Sequence, residues 1–275
     1  MKAKRPLFLA ATVLTPAAIL VAITNGLPDT ANEYRNTGAF VIKRAGSSQI
    51  LSVCSGTLIA PHAFLTASHC TAFFENVAAQ AGYSAYISFD NPIPFGTFSS
   101  PATNLIPVAQ LITNPLFNQR QSDSGDIGLL LVAAASTQGI QPAALPTLGL
   151  LDQLNQKNGL KNAVFTAVGY GVQNRVTGGG PPFFESMNPI PRMYSFSGFN
   201  ALNPGYLRLS QNPATGNGGT CFGDSGGPNF LTVNSTRVIA AVTVTGDSVC
   251  RATNVTYRLD TPSARQFLGG FVTLP

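Results

Sequence analysis

Cys221-Phe222-Gly223-Asp224-Ser225-Gly226-Gly227-Pro228 sets three glycines around one serine, with an acid just before it and a cysteine at the head of the run. Glycine tolerates conformations and close approaches that a Cβ forbids. Such a run can turn tightly, expose the serine hydroxyl and aim neighbouring N–H groups at one point. Taken alone it reads equally well as an ordinary Gly-rich loop. A serine hydroxyl is a weak nucleophile, so the chemical reading requires a base, and the base requires an orienting acid.

The chain holds two histidines, His62 and His69, and both precede Ser225. Gly223-x-Ser225-x-Gly227 matches the nucleophile turn of α/β hydrolases, but there the order is serine, acid, histidine. No histidine follows Ser225, so that reading fails. His62 follows Pro61 in a turn and reads as a solvated loop residue. His69 closes Leu65-Thr66-Ala67-Ser68-His69-Cys70, where an apolar run ends against a cysteine able to anchor it. For the acid, Asp126 heads Asp126-Ile127-Gly128-Leu129-Leu130-Leu131-Val132. Burying it unpaired is costly, and a histidine N–H is a fitting partner. Asp123, three residues earlier, reads as a turn-capping side chain.

The 275 residues are 44% hydrophobic and 10% charged, with 27 Gly, 20 Pro and no Trp. Ordinary domains carry about 25% charged residues. This balance excludes disorder, collagen and coiled coil, and leaves a turn-rich, β-leaning protein. Three of the cations behind the net charge of +5 are Lys2, Lys4 and Arg5, and the densest basic spot beyond them is Lys43-Arg44. No basic stripe faces phosphates, so nucleic acid is not an expected partner.

Met1 to Arg5 is positive and Leu7 to Ile23 is apolar, broken by Pro16. That is the layout of a secretory leader, expected over 1–22 with Ala22 last and Ala18 as the second candidate. A stable membrane anchor is the rival reading, and the run sits at the short end of the roughly 17–25 residues it needs. In an exported chain, Cys54, Cys70, Cys221 and Cys250 argue for two disulfides, with three pairings open. No Cys-x-x-Cys or paired-His spacing supports zinc.

Strands are expected over Ala39–Lys43, Gln49–Val53, Gly56–Ile59, Ala63–Ala67, Ile127–Val132, Ala163–Gly169, Asn229–Val233 and Arg237–Val244. Ala133–Pro146 reads as a link between two halves, and the Gly-, Pro- and Phe-rich Val172–Tyr206 as long surface loops. Asp260 or Thr261 caps a late helix with Pro262 in its first turn.

With Ser55-Gly56-Thr57-Leu58-Ile59, Thr66-Ala67-Ser68-His69-Cys70, Asp126-Ile127-Gly128-Leu129, Val168-Gly169-Tyr170-Gly171 and Gly223-Asp224-Ser225-Gly226-Gly227-Pro228 in this order, the sequence resembles the secreted chymotrypsin/trypsin-like serine proteases. The resemblance implies an all-β fold of two packed six-stranded antiparallel β-barrels with a short C-terminal helix. The first barrel would cover about 23–135, the second about 147–260 and the helix about 261–270 of a protease domain spanning 23–275. It implies a secreted, monomeric endopeptidase acting on protein or peptide, without metal or cofactor. His69, Asp126 and Ser225 would be catalytic, Gly223 and Ser225 would form the oxyanion hole, and the disulfides would be Cys54–Cys70 and Cys221–Cys250.

It further implies that a new amine at Ile23 pairs with Asp224, and Ile23-Thr24-Asn25-Gly26 abuts the expected leader end. The specificity pocket would involve Gly219, Thr220 and Gly246, where Gly219 removes the acid that selects basic residues, and Asp247 would sit on the rim. An uncharged P1 residue is therefore expected. Tyr170 and Thr245 replace the usual tryptophans. Asn234-Ser235-Thr236 and Asn254-Val255-Thr256 are glycosylation acceptors in a eukaryotic source. A silent homologue acting as a binding protein, and an esterase of the same fold, are the competing functions.

Overall fold

Apolar runs cut by turn residues pair into two antiparallel sheets. The computed structural model describes residues 23–95, 104–176, 183–185 and 187–275. The expected leader at 1–22 lies outside the described residues. In the first half, β2 (Thr37–Arg44), β3 (Ile50–Ala60), β4 (Ala63–Thr66), β5 (Tyr83–Ser88), β6 (Ile106–Pro107), β7 (Gln110–Ile112) and β8 (Gly128–Leu131) form a curled, open sheet ordered β6-β5-β2-β3-β4-β8-β7. In the second half, β9 (Val164–Gly169), β12 (Met193–Leu202), β13 (Tyr206–Ser210), β14 (Pro228–Val233), β15 (Thr236–Gly246) and β16 (Thr253–Arg258) close into a six-stranded barrel. Closure falls on β9, where Ala167 pairs with Ser195 on one side and Asn229 on the other. β1 (Leu27–Pro28) adds to β12, and β10 (Asn174–Val176) pairs with β11 (Phe183–Glu185) as a separate ribbon.

The strands foreseen from apolar runs between turn residues are present, with 49–53 and 56–59 fused into β3. Val172–Tyr206 is corrected: its C-terminal part is β12, a central barrel strand. The pattern there is inverted, since Ser195 and Ser197 face inward and Phe196 outward. Two short helices, α1 (Ser68–Phe73) and α2 (Leu150–Gln156), were also not foreseen, because neither has a side-chain cap of its own. Instead, the Leu151 N–H of α2 donates to the Asp260 carboxylate at 2.8 Å. α3 (Pro262–Leu268) starts as expected, with Thr261 accepting from Ala264 N–H. The link at 133–146 does cross between halves: Ala143 N–H donates to Leu58 and Ala144 C=O accepts from Ile239. Along that seam Leu65 and Leu129 pack with Phe230, Ile239, Tyr257 and Leu268 in one core.

A buried ion pair holds the N-terminal segment. Arg192 is fully buried, and its Nε donates to Asp29 at 2.8 Å. Its Nη1 donates to Thr37 C=O at 3.0 Å and to the Tyr170 hydroxyl at 3.1 Å, while Nη2 donates to Asn32. Asp29 also accepts from the N–H groups of Glu33 and Tyr34. Removing one member of a buried pair strands the other charge, at about 3–5 kcal/mol. Arg192→Ala is accordingly expected to lower the unfolding free energy by about that amount in chemical denaturation, and adding Asp29→Ala to recover part of the loss.

Candidate active site

β4 runs directly into α1, which carries His69. No side chain caps the helix, and tertiary bonds hold it instead. Ser68 Oγ donates to Ile127 C=O at 2.7 Å and accepts from Asn114 N–H at 2.9 Å. Cys70 is disulfide-bonded to Cys54 of β3. This pins the helix beside the head of β8, where Asp126 stands. One Asp126 oxygen accepts the His69 backbone N–H at 2.8 Å, and the other faces His69 Nδ1 at 2.9 Å. Asp126 is 4% exposed and His69 24%. The carboxylate places the ring proton on Nδ1, and the neutral imidazole keeps its lone pair on Nε2.

The serine turn is held from three sides. Gly226, at φ +81°, takes a conformation that suits glycine, and its N–H donates to Thr243 C=O at 2.8 Å. Ser225 C=O accepts from Ser55 N–H at 2.9 Å, and Gly223 C=O from the Ser55 hydroxyl at 3.0 Å. Among the described residues, the N–H groups of Gly223 and Ser225 make no hydrogen bond. Ser225 and His69 line one cavity of about 380 Å³, together with Thr220, Phe222, Gly246 and Asp247. Cys221–Cys250 is the second disulfide and borders the same cavity.

Asp224, beside the serine, is fully buried. It accepts from Gly171 N–H at 2.8 Å and Cys221 N–H at 2.9 Å. The glycines of Val168-Gly169-Tyr170-Gly171 make its room, since a Cβ at 169 or 171 would lie 2.2 or 2.5 Å from its carboxyl. Burial pushes this carboxyl up to about 7, against the pull of the two N–H donors, and no cation pairs with it among the described residues. Ile23 is also fully buried, against Met193, and Thr24 forms a bridge to Gly219.

Thr220 and Gly246 border the cavity and Gly219 does not. The space beside Gly219 is filled by Gln211, a residue with no signal in the sequence. Asp247 carries four donors: the N–H groups of Arg251, Ala252 and Thr253, and Gln211 Nε2. Those bonds hold its carboxyl below the ordinary range even though partial burial opposes them. His62 lies elsewhere, its Nε2 bonded to Phe271 C=O at 3.1 Å. Of the glycosylation acceptors, Asn234 is exposed in the β14–β15 turn, whereas Asn254 is buried and bonded to Asn229, which removes it as an acceptor. Cys54, His69 and Cys70 approach one another, but both sulfurs are committed to the disulfide and offer no thiolate to a metal. Among the described residues no helix is long and apolar enough to cross a membrane.

A family model described as Trypsin matches residues 23–267 of the chain.

The Asp224 environment has a pH consequence while Ile23 is linked to a preceding residue. A carboxyl raised to about 7 in the fold binds protons more tightly folded than unfolded, so the stability it contributes below the ordinary carboxyl range is lost as pH rises through about 7. A chain extended before Ile23 should melt several degrees lower at pH 8 than at pH 5, and Asp224→Asn should shrink that gap in scanning calorimetry.

Proposed function

Because the chain belongs to the trypsin family, we propose that it is an exported serine endopeptidase cleaving protein or peptide substrates through His69, Asp126 and Ser225. The observation that carries this reading is the two-point grip of Asp126 on His69 within the cavity that Ser225 shares. Ser225 Oγ attacks the scissile carbonyl carbon while His69 Nε2 takes its proton. The developing oxyanion is received by the free N–H groups of Gly223 and Ser225, where one donor is typically worth about 2.7–4 kcal/mol. His69 then protonates the leaving amine, and water, deprotonated by the same ring, hydrolyses the acyl-enzyme. Asp126 keeps the tautomer and stabilises the imidazolium.

Removal of residues 1–22 frees the Ile23 amine, which supplies the cation that buried Asp224 lacks and so orders the Gly223 peptide. The two residues are both buried, and Thr24 next to Ile23 is already bridged to the segment before the serine turn. The P1 residue is uncharged. Among the described residues the single acid bordering the cavity, Asp247, has its charge taken up by four donors. Export fits the two disulfides, which persist in oxidising compartments.

Incubating the secreted protein with a fluorophosphonate should label Ser225 in peptide mapping, on a chain whose intact mass starts at Ile23. His69→Ala should abolish the label and lower kcat/KM on a peptide substrate by about 10⁴-fold or more. An unlabelled chain that starts at Ile23 would instead be a silent binding protein.

A further inference from the structure

Gln211 is fully buried just beyond the end of β13, and its side chain fills the space beside Gly219, directly behind Thr220 of the cavity lining. A Cβ built on Gly219 would fall 1.9 Å from Gln211 Oε1 and 2.3 Å from its Cβ. The volume of a side chain at 219 is therefore already taken, from the segment that follows β13. The amide is fixed at both ends: Oε1 accepts the Thr220 N–H at 2.9 Å, and Nε2 donates to Asp247 at 3.2 Å. Thr220 and Asp247 both border the cavity, so the Gln211 amide is bonded to two residues of its lining. From behind, Thr24 Oγ1 donates to Gly219 C=O at 3.3 Å and Cys250 C=O at 3.0 Å, which keeps the floor from retreating.

We propose that Gln211 is the specificity-determining residue of this cavity: it shortens the P1 pocket from below, so that small uncharged side chains are cleaved in preference to long ones. This rests on the serine-protease reading above. The selection is by volume. A long P1 side chain, whether aromatic or basic, meets the Thr220 and Asp247 lining, which the fixed carboxamide backs and keeps from yielding, before its end is accommodated. The same geometry gives Gly219 its place, because any side chain there collides with Gln211. An acid introduced at 219 alone would displace the plug instead of charging the pocket.

The test is kcat/KM on a series of peptide amides differing only at P1 (Ala, Val, Leu, Phe, Arg), each enzyme normalised by fluorophosphonate titration of its active serine. One added or lost methylene in such a pocket is worth about 10–200-fold in discrimination. Gln211→Ala should therefore raise the Phe:Ala ratio at least about 10-fold, with Gln211→Asn intermediate. Gln211→Met keeps the volume while losing both hydrogen bonds, and should leave the ratio within about 3-fold of wild type. Should Gln211→Ala not accumulate, the graded Asn and volume-keeping Met variants still decide. A ratio that is flat across the series, or that shifts as much in Gln211→Met as in Gln211→Asn, overturns the proposal while the protease reading stands. A wild-type protein that titrates no serine overturns both.

Discussion

The hydroxyl of Ser55 lies between two peptide groups of the other half of the molecule. It accepts from Tyr170 N–H at 3.0 Å and donates to Gly223 C=O at 3.0 Å, while its backbone N–H holds Ser225 C=O. The residue before it, Cys54, is bonded to Cys70 beside His69. Two consecutive residues of β3 thus fix the proposed base and the proposed nucleophile, one through a disulfide and one through three hydrogen bonds. Residues 69 and 225 are far apart in sequence, and their relative position must be set to within a fraction of an ångström for proton transfer. A single strand that touches both is a stiffer coupling than the packing of two sheets on each other.

Scarcity of charge shapes the rest. With 10% charged residues, the chain spends several of them inside. Arg192 joins Asp29 to β2 and Tyr170, and Arg258 joins Asp260 and Asp152 at the foot of α2. Buried pairs are weak contributors to net stability, because desolvation offsets their attraction, but a wrong register leaves a charge unpaired at high cost. Each arginine here reaches several partners distant in sequence. The pairs therefore act on which arrangement forms, which matters in a β-rich chain whose strands could otherwise slip.

What was legible in the sequence follows from the same physics. His69, Asp126 and Ser225 stood out because nucleophilic chemistry needs rare residue types in a small number of contexts, and two histidines leave little choice. Strands that are continuous apolar runs between turn residues, such as β2 and β8, were legible as such. β12 and β16 were not, because their inner faces carry Ser195, Ser197, Asn254 and Thr256; the last three are bonded to partners elsewhere, and the Ser195 hydroxyl is buried with no partner among the described residues. α1 and α2 lack local caps and exist by tertiary bonds from Ser68, Asp260 and a disulfide. Gln211 was invisible for a related reason: the glycine at 219 announces an empty space, and only the fold says that another residue fills it.

Asp224 places the site under a condition. A fully buried carboxyl with two N–H donors and no cation partner among the described residues is under-compensated, which raises its titration. Its donors are Cys221 N–H, in the wall of the cavity, and Gly171 N–H, in the loop against Gly223. Any cation reaching Asp224 therefore acts on the Cys221 peptide of the cavity wall and on Gly171, which packs against Gly223. The proposed source is the N-terminal segment, where Ile23 is buried and Thr24 bonds to the carbonyls of Gly219 and Cys250. Freeing the Ile23 amine would then alter the anion-receiving peptides and the floor held by Gln211 in one step. On the proposed reading, two properties that look separate, competence to react and choice of side chain, would hang on the same short segment.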